Sequence, residues 1–218
     1  EKNADERREV ASITKLMTAL LVLEALDRDE IALTDSVQIS PRAAAMKGSQ
    51  ALLDASAVYP LEDLLRTTIM ASANDSAVAL SEYIAGSEEN FVDRMNRRAA
   101  ELGMTNTNYV NCTGYPQSGQ YTTARDVCRL CCEIAKHPRY NQYASVWIDK
   151  LTHPSGRVTD LTNTNRLVRF YEGCDGYKTG STDAAKYCPA ATAEKNGMRL
   201  VAIVLGTPVS QTRFNEAR

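Results

Sequence analysis

Ser12-Ile13-Thr14-Lys15-Leu16-Met17-Thr18-Ala19-Leu20-Leu21-Val22-Leu23-Glu24-Ala25-Leu26 is the stretch on which the fold turns. Ile13, Leu16, Met17, Leu20, Leu23 and Leu26 recur at helical spacing, and Ala19, Leu21 and Val22 fill the other faces. The pattern predicts a helix over 12–26 that is apolar nearly all round, hence central and buried. Ser12 stands at its start, where serine is a favoured cap. Taken alone, a cap is the plainer reading of Ser12. Lys15 changes it, because side chains at i and i+3 share a helix face with Cβ atoms roughly 5–6 Å apart. The amine is then within reach of the hydroxyl. A lone lysine on such a helix would ordinarily snorkel to the surface, but Leu16 to Leu23 is too apolar for that to be comfortable.

Around this helix the chain has an ordinary globular composition. Its 218 residues are 44% hydrophobic and 24% charged, with a net charge of -2. That suffices for one domain, 1–218, or two intimate lobes. Neither the balance nor any basic run points to nucleic acid. No apolar run is long enough to cross a bilayer, and the charged start Glu1-Lys2-Asn3-Ala4-Asp5-Glu6 is unlike a leader peptide.

Residues 28–170 read as mostly helical with loops. Helices are expected over 61–71, 76–84 and 90–102, the last stopped by Gly103. Another starts near Thr122, runs from 124 to 136 and ends at His137-Pro138. Residues 105–120 read as loop. After 170 the character changes. Strands are expected over 173–182, 187–194 and 198–205, the last two joined by Lys195-Asn196-Gly197, a strong hairpin signal. Leu200 to Leu205 suits a buried strand, and Pro189 suggests an edge or bulge. The expectation is an α+β fold, an antiparallel sheet packed on a central helix, with an α/β lobe (1–27 plus 171–218) and a mostly helical lobe (28–170).

The six cysteines make a poor disulfide framework, since Cys131 and Cys132 are adjacent and Cys128 lies one helical turn earlier. A zinc site would need a second ligand pair, which Cys112, Cys174 and Cys188 do not supply. Buried free thiols are the expected state. The two histidines, His137 and His153, each precede proline and sit in no Ser-His-Asp context, so a capping or surface role is expected for both.

Three motifs carry the chemistry: Ser12-Ile13-Thr14-Lys15, Ser72-Ala73-Asn74 and Lys178-Thr179-Gly180. Each of S-x-x-K, S-x-N and K-[ST]-G occurs once. In this order they mark serine enzymes whose base is a lysine. Such a lysine needs a pKa near neutral, which burial and a second cation favour; Lys178 is the expected second cation. The simpler reading of Ser72 or Asn74 is a cap for the helix that follows. Lys178-Thr179-Gly180 fits a sheet edge that could pair with a peptide as an added strand, with Gly180 leaving room for close approach.

The motifs, their order and the long gap before the third resemble the penicillin-binding D-alanyl-D-alanine carboxypeptidases of low molecular mass, over nearly the whole chain. The resemblance implies the β-lactamase/DD-peptidase-like fold and removal of the terminal D-alanine from peptidoglycan pentapeptide. Ser12 would be the nucleophile and Lys15 its base, with Ser72 relaying a proton to the leaving amine. Asn74 would bond the substrate amide and Lys15. Backbone N–H groups of Ser12 and Ser181 would form the oxyanion hole. Lys178, Thr179, Thr182 and Arg213 would hold the terminal carboxylate. No metal or organic cofactor is implied. The expected partners are a stem peptide ending in D-Ala-D-Ala and β-lactams as covalent inhibitors, at an extracytoplasmic location. Family members also carry an earlier strand, a sheet-covering helix, a smaller β-rich domain and an amphipathic anchor. These segments are absent from the 218 residues, so membrane attachment is expected only through them. Lys186-Tyr187 replaces a usual Gly-Tyr pair, and Asn111-Cys112-Thr113-Gly114-Tyr115-Pro116 replaces a stretch that often carries His-Gly. Both put substrate preference in question more than acylation.

Two alternatives stay open. A class A β-lactamase shares the motif types but deacylates with a Glu between the second and third motifs, and no Glu-x-x-Leu-Asn lies between Asn74 and Lys178. A non-catalytic β-lactam or peptidoglycan sensor would acylate on Ser12 without releasing D-alanine. A thiol or metal protein built on Cys128 and Cys131 is more remote.

Overall fold

The computed structural model describes residues 1–218. A 3-10 turn, Ala11–Thr14, leads into helix α1, Lys15–Asp27. Short strands β1 (Ser36–Gln38) and β2 (Val58–Pro60) flank helix α2, Pro41–Ala44. Helices α3 (Leu61–Met70), α4 (Asn74–Ala85), α5 (Glu88–Glu101), α6 (Ala124–Ile134) and α7 (Pro138–Ala144) follow. A hairpin of β3 (Ile148–Thr152) and β4 (Val158–Thr162) and the short α8 (Leu167–Phe170) lead to β5 (Cys174–Thr182), β6 (Lys186–Lys195) and β7 (Met198–Ile203). Helix α9, Ser210–Glu216, closes the chain.

The α1 side chains Leu16, Met17, Leu20 and Leu23 are all buried, as an all-round apolar helix requires. Its neighbours are α3, α4, α5, α6 and α7, while the preceding 3-10 turn lies on β5 and β6. A single cluster of 45 buried residues runs from Val10 through α1 and the helices to Cys188 and Ala190 on β6. The start of α1 is therefore held where helices and sheet meet.

The main sheet is antiparallel in the order β5-β6-β7, so β5 is an edge. Asn196 and Gly197, both at positive φ, turn β6 into β7 as a type I′ hairpin demands. Three expectations fail here. The run Leu200 to Leu205 is not a buried strand: Leu200 is 64% exposed, because only one face of β7 meets α6. Pro189 lies on the central strand, opposite Thr179 and just past the last β6–β7 pair, Ala190 with Ile203, so its missing N–H interrupts no β7 ladder. The bulge falls at Cys174/Gly176 instead. The hairpins β1–β2 and β3–β4 interrupt the stretch expected to be helix and loop.

The cysteines are all free. Cys112, Cys131 and Cys188 are buried, but Cys132 is exposed and Cys128 and Cys174 are half-buried. On amphipathic α6 the i and i+4 positions 128 and 132 share the outer face while Cys131 faces the core. His153 is not a surface residue: it is 2% exposed, with ring nitrogens 2.7 Å from Tyr59 Oη and 2.8 Å from Thr159 Oγ1. His137 caps the start of α7 by backbone position and contacts Asp27 Oδ2 at 2.7 Å.

Candidate active site

Ser12 sits in the 3-10 turn, not at a capping position; its hydroxyl makes no cap bond. The residue before it, Ala11, has φ +48°, a left-handed backbone that alanine rarely adopts. Strain of this kind concentrates at functional sites. The half-buried Ser12 presents Oγ to Lys15 Nζ at 2.9 Å. Lys15 is 1% exposed and its amine also donates to the Thr113 carbonyl at 2.7 Å. Burial brings the Lys15 pKa down to about 7, against the weaker opposing pull of Cys112 and Asp75.

Lys178 is equally buried, 1% exposed, and its only hydrogen bond is to the Thr179 carbonyl at 3.1 Å. Burial holds its pKa well below the usual lysine range, and the positive charges of Lys15 and Arg213 push it further down. Burial, not Lys178, therefore sets Lys15. An arriving carboxylate beside Lys178 would favour its charged form.

The second motif lies between α3 and α4. Ser72 is 3% exposed with φ +64°. Neither Ser72 nor Asn74 caps α4; the cap position is Ala73, without a side-chain bond. Asn74 donates from Nδ2 to the Lys47 carbonyl at 2.6 Å, while its Oδ1 is buried without a partner. Lys15 bonds Ser12 and Thr113, not Asn74, so Oδ1 remains a buried acceptor without a partner.

The third motif forms the β5 edge. A Cβ on Gly180 would stand 2.4 Å from the Val10 carbonyl oxygen and 3.0 Å from Ser12 N. The space left by this glycine is filled by the turn that carries Ser12, not held open for a ligand. Thr179 is buried, Ser181 exposed, and Thr182 Oγ1 accepts from Ala185 N at 3.0 Å. From α9, Arg213 reaches back and donates from Nη1 to the Gly180 carbonyl at 3.2 Å, its guanidinium stacked 5.3 Å from the Tyr187 ring. It is no free surface charge, and burial lowers its pKa.

Two supports lie outside the three motifs. Asn111 Oδ1 accepts from the N–H groups of Thr113 and Gly114, folding the loop that aims the Thr113 carbonyl at Lys15. Gly114, φ +78°, lets this loop touch the Ser12 turn, since a Cβ there would lie 1.9 Å from Ala11 O. Asp75, fully buried, accepts from the N–H groups of Ala51 and Leu53 and pins that loop to α4. An Asn three residues before a Gly was the one available signal for the first; nothing local marked the second. Chemically, the arrangement can activate a serine hydroxyl with a buried neutral amine and receive an anion between Lys178 and Arg213.

Residues 1–209 match the family model described as D-alanyl-D-alanine carboxypeptidase. The chain is 42% identical over 212 residues to the D-alanyl-D-alanine carboxypeptidase DacF of Bacillus subtilis, covering 97% of this chain and 54% of that one. It is 38% identical over 225 residues to DacC of Escherichia coli, covering 100% and 55%. Among solved structures it superposes on the D-alanyl-D-alanine carboxypeptidase DacD of Francisella tularensis with a TM-score of 0.95 at 30% identity, covering 99% of this chain and 64% of that one. The Streptomyces K15 DD-transpeptidase gives a TM-score of 0.90 at 28% identity, covering 98% and 86%. The chain thus spans about half the length of the curated relatives it matches.

Proposed function

This chain belongs to the D-alanyl-D-alanine carboxypeptidase family, and on that premise we propose that it is a serine DD-carboxypeptidase acting on peptidoglycan stem peptides that end in D-Ala-D-Ala. The observation that carries the reading is the 2.9 Å contact between Ser12 Oγ and a buried Lys15 whose pKa falls to about 7. Near neutral pH a large share of Lys15 is unprotonated and able to take the serine proton.

Ser12 Oγ then attacks the carbonyl carbon of the penultimate D-alanine. The backbone N–H groups of Ser12 and Ser181 receive the developing oxyanion, each such donor being worth roughly 3 kcal/mol. Ser72 passes the proton to the leaving nitrogen, the C–N bond breaks, and D-alanine departs. Asn74 holds the substrate amide through its unpartnered Oδ1. Lys178, Thr179, Thr182 and Arg213 hold the terminal carboxylate, and the substrate backbone pairs along the β5 edge near Gly180 and Ser181. Water, activated again by Lys15, releases the acyl group. Penicillins acylate Ser12 as mimics of the same dipeptide. The substrate places the site of action outside the cytoplasm. No helix of the chain is long and apolar enough to cross a membrane.

Mass spectrometry after incubation with benzylpenicillin tests the nucleophile: one adduct is expected on the parent chain and none on Ser12→Ala. Release of D-alanine from a diacetyl-L-Lys-D-Ala-D-Ala peptide tests the reaction. An adduct without D-alanine release would leave a sensor, and rapid penicillin turnover would indicate a β-lactamase.

A further inference from the structure

Beside the β5 edge lies a cavity of about 580 Å³ whose walls include Trp147, Thr164, Arg166, Phe170, Ser210 and Arg213. No acidic side chain lines it, yet two guanidiniums do. They are close enough for Arg166 to depress Arg213. Two cations converging without a carboxylate between them make an anion site. The walls also carry buried donors without acceptors, Trp147 Nε1 and Arg213 Nε. Such donors cost stability unless a ligand or water satisfies them. Trp147 and Phe170 pack edge to face at 6.2 Å, forming a stiff apolar wall, and Phe170 is 60% exposed.

The position of the cavity says which part of a substrate would enter it. Arg213 belongs both to the cavity and to the cleft, where it donates to the Gly180 carbonyl. The loop that carries Thr164 and Arg166 is tied to the end of α3, just ahead of the second motif, through Thr164 N and the Met70 carbonyl, and to β5 through Asn165 Nδ2 and the Gly176 carbonyl. On the reading given above, Arg213 faces the carboxylate of the departing residue. The cavity therefore continues from the leaving-group end of the cleft, and alanine's methyl group is too short to enter it.

We propose that this cavity is a subsite for an anionic side arm on the leaving residue, with Arg166 its specificity-determining cation. It rests on the carboxypeptidase reading and extends it: the chain releases a larger D-amino acid bearing a second carboxylate, as well as D-alanine. The bonds change as before. Ser12 Oγ acylates, the C–N bond breaks, the leaving amine takes the proton, and water hydrolyses the ester.

Three peptides, diacetyl-L-Lys-D-Ala-X with X = D-Ala, D-Glu or D-Gln, decide the matter through kcat/KM for release of X. D-Glu and D-Gln are nearly isosteric and differ in charge. The expected D-Glu to D-Gln ratio is about ten in the parent and near one in Arg166→Gln, as loss of one charge-assisted contact implies. The ratio persists in Lys150→Gln, which removes an exposed cation outside the cavity. Melting temperatures show whether Arg166→Gln is folded; the Arg166 side chain is exposed. A parent ratio of one, or a ratio that survives Arg166→Gln, overturns the subsite while leaving D-alanine release intact. Failure to release D-Ala itself would overturn the carboxypeptidase reading, and the subsite with it.

Discussion

Gly180 and Ser12 touch: the backbone of the third motif passes so close to the turn carrying Ser12 that a single added carbon on Gly180 would overlap Val10 O at 2.4 Å and crowd Ser12 N at 3.0 Å. The contact fixes the distance between the β5 edge and the serine. Because both partners are backbone, neither can swing aside. Gly180→Ala is expected to slow acylation of Ser12 by penicillin by about 100-fold or more, as displacement of a reacting group by an ångström does. It should also cost about 1–3 kcal/mol of stability through overpacking. Adduct formation followed by mass spectrometry, with thermal melts, measures both; parent-like acylation would show that this contact does not set the geometry.

Lys15 dictates the pH dependence. In the proposed role of base it would act only when neutral, so kcat/KM for D-alanine release should rise with pH through an inflection near the Lys15 pKa of about 7 and level off above it. A profile inflecting near pH 10 would mean that the amine is solvated in the free enzyme.

The same burial affects stability. Lys15 has a pKa of about 7 when folded against 10.5 ordinarily, so the unfolded chain binds this proton more tightly. Its contribution is unfavourable in full below about pH 7 and fades as pH climbs from 7 towards 10.5. Lys15→Met should therefore be inactive yet more stable at pH 6, by on the order of 2 kcal/mol after allowing for the orphaned Thr113 carbonyl. The gain should shrink towards pH 10. Urea melts at the two pH values measure it, and a variant equally destabilised at both would contradict the linkage.

The legible part of the site is the part carried by side chains at fixed local spacing. Ser12 and Lys15 stand three residues apart on a run whose apolar pattern predicted burial, and Lys15 proved 1% exposed. What could not be read depends on backbone atoms. The Thr113 carbonyl works because Asn111 folds its loop, and Asp75 acts by receiving N–H groups from Ala51 and Leu53. Carbonyls and amides are common to every residue, so composition carries no trace of them. The fold shows the same division. Periodicity over 12–26 announced α1, whereas β1 and β2, three residues each, are too short to show alternation. The error over Leu200 has a related cause. An apolar run marks affinity for burial, but whether a face is covered depends on which elements pack on the sheet, which local sequence does not encode.

Gly114 gives the sharpest test of the backbone contribution. Its φ of +78° is costly for any residue with a Cβ, and that Cβ would lie 1.9 Å from Ala11 O. Gly114→Ala must push the 111–114 loop away from the turn that carries Ser12. The Thr113 carbonyl then no longer steadies the Lys15 amine on Ser12 Oγ. Acylation should slow by about 10- to 100-fold, as loss of orientation does, with a drop of about 1–3 kcal/mol in stability from strain and overpacking. Because the motif side chains are untouched, the loss must come through position. Stopped-flow acylation by a fluorescent penicillin, read beside the melting temperature, separates the two effects. A folded Gly114→Ala chain that acylates at the parent rate would show that Lys15 needs no help from this loop.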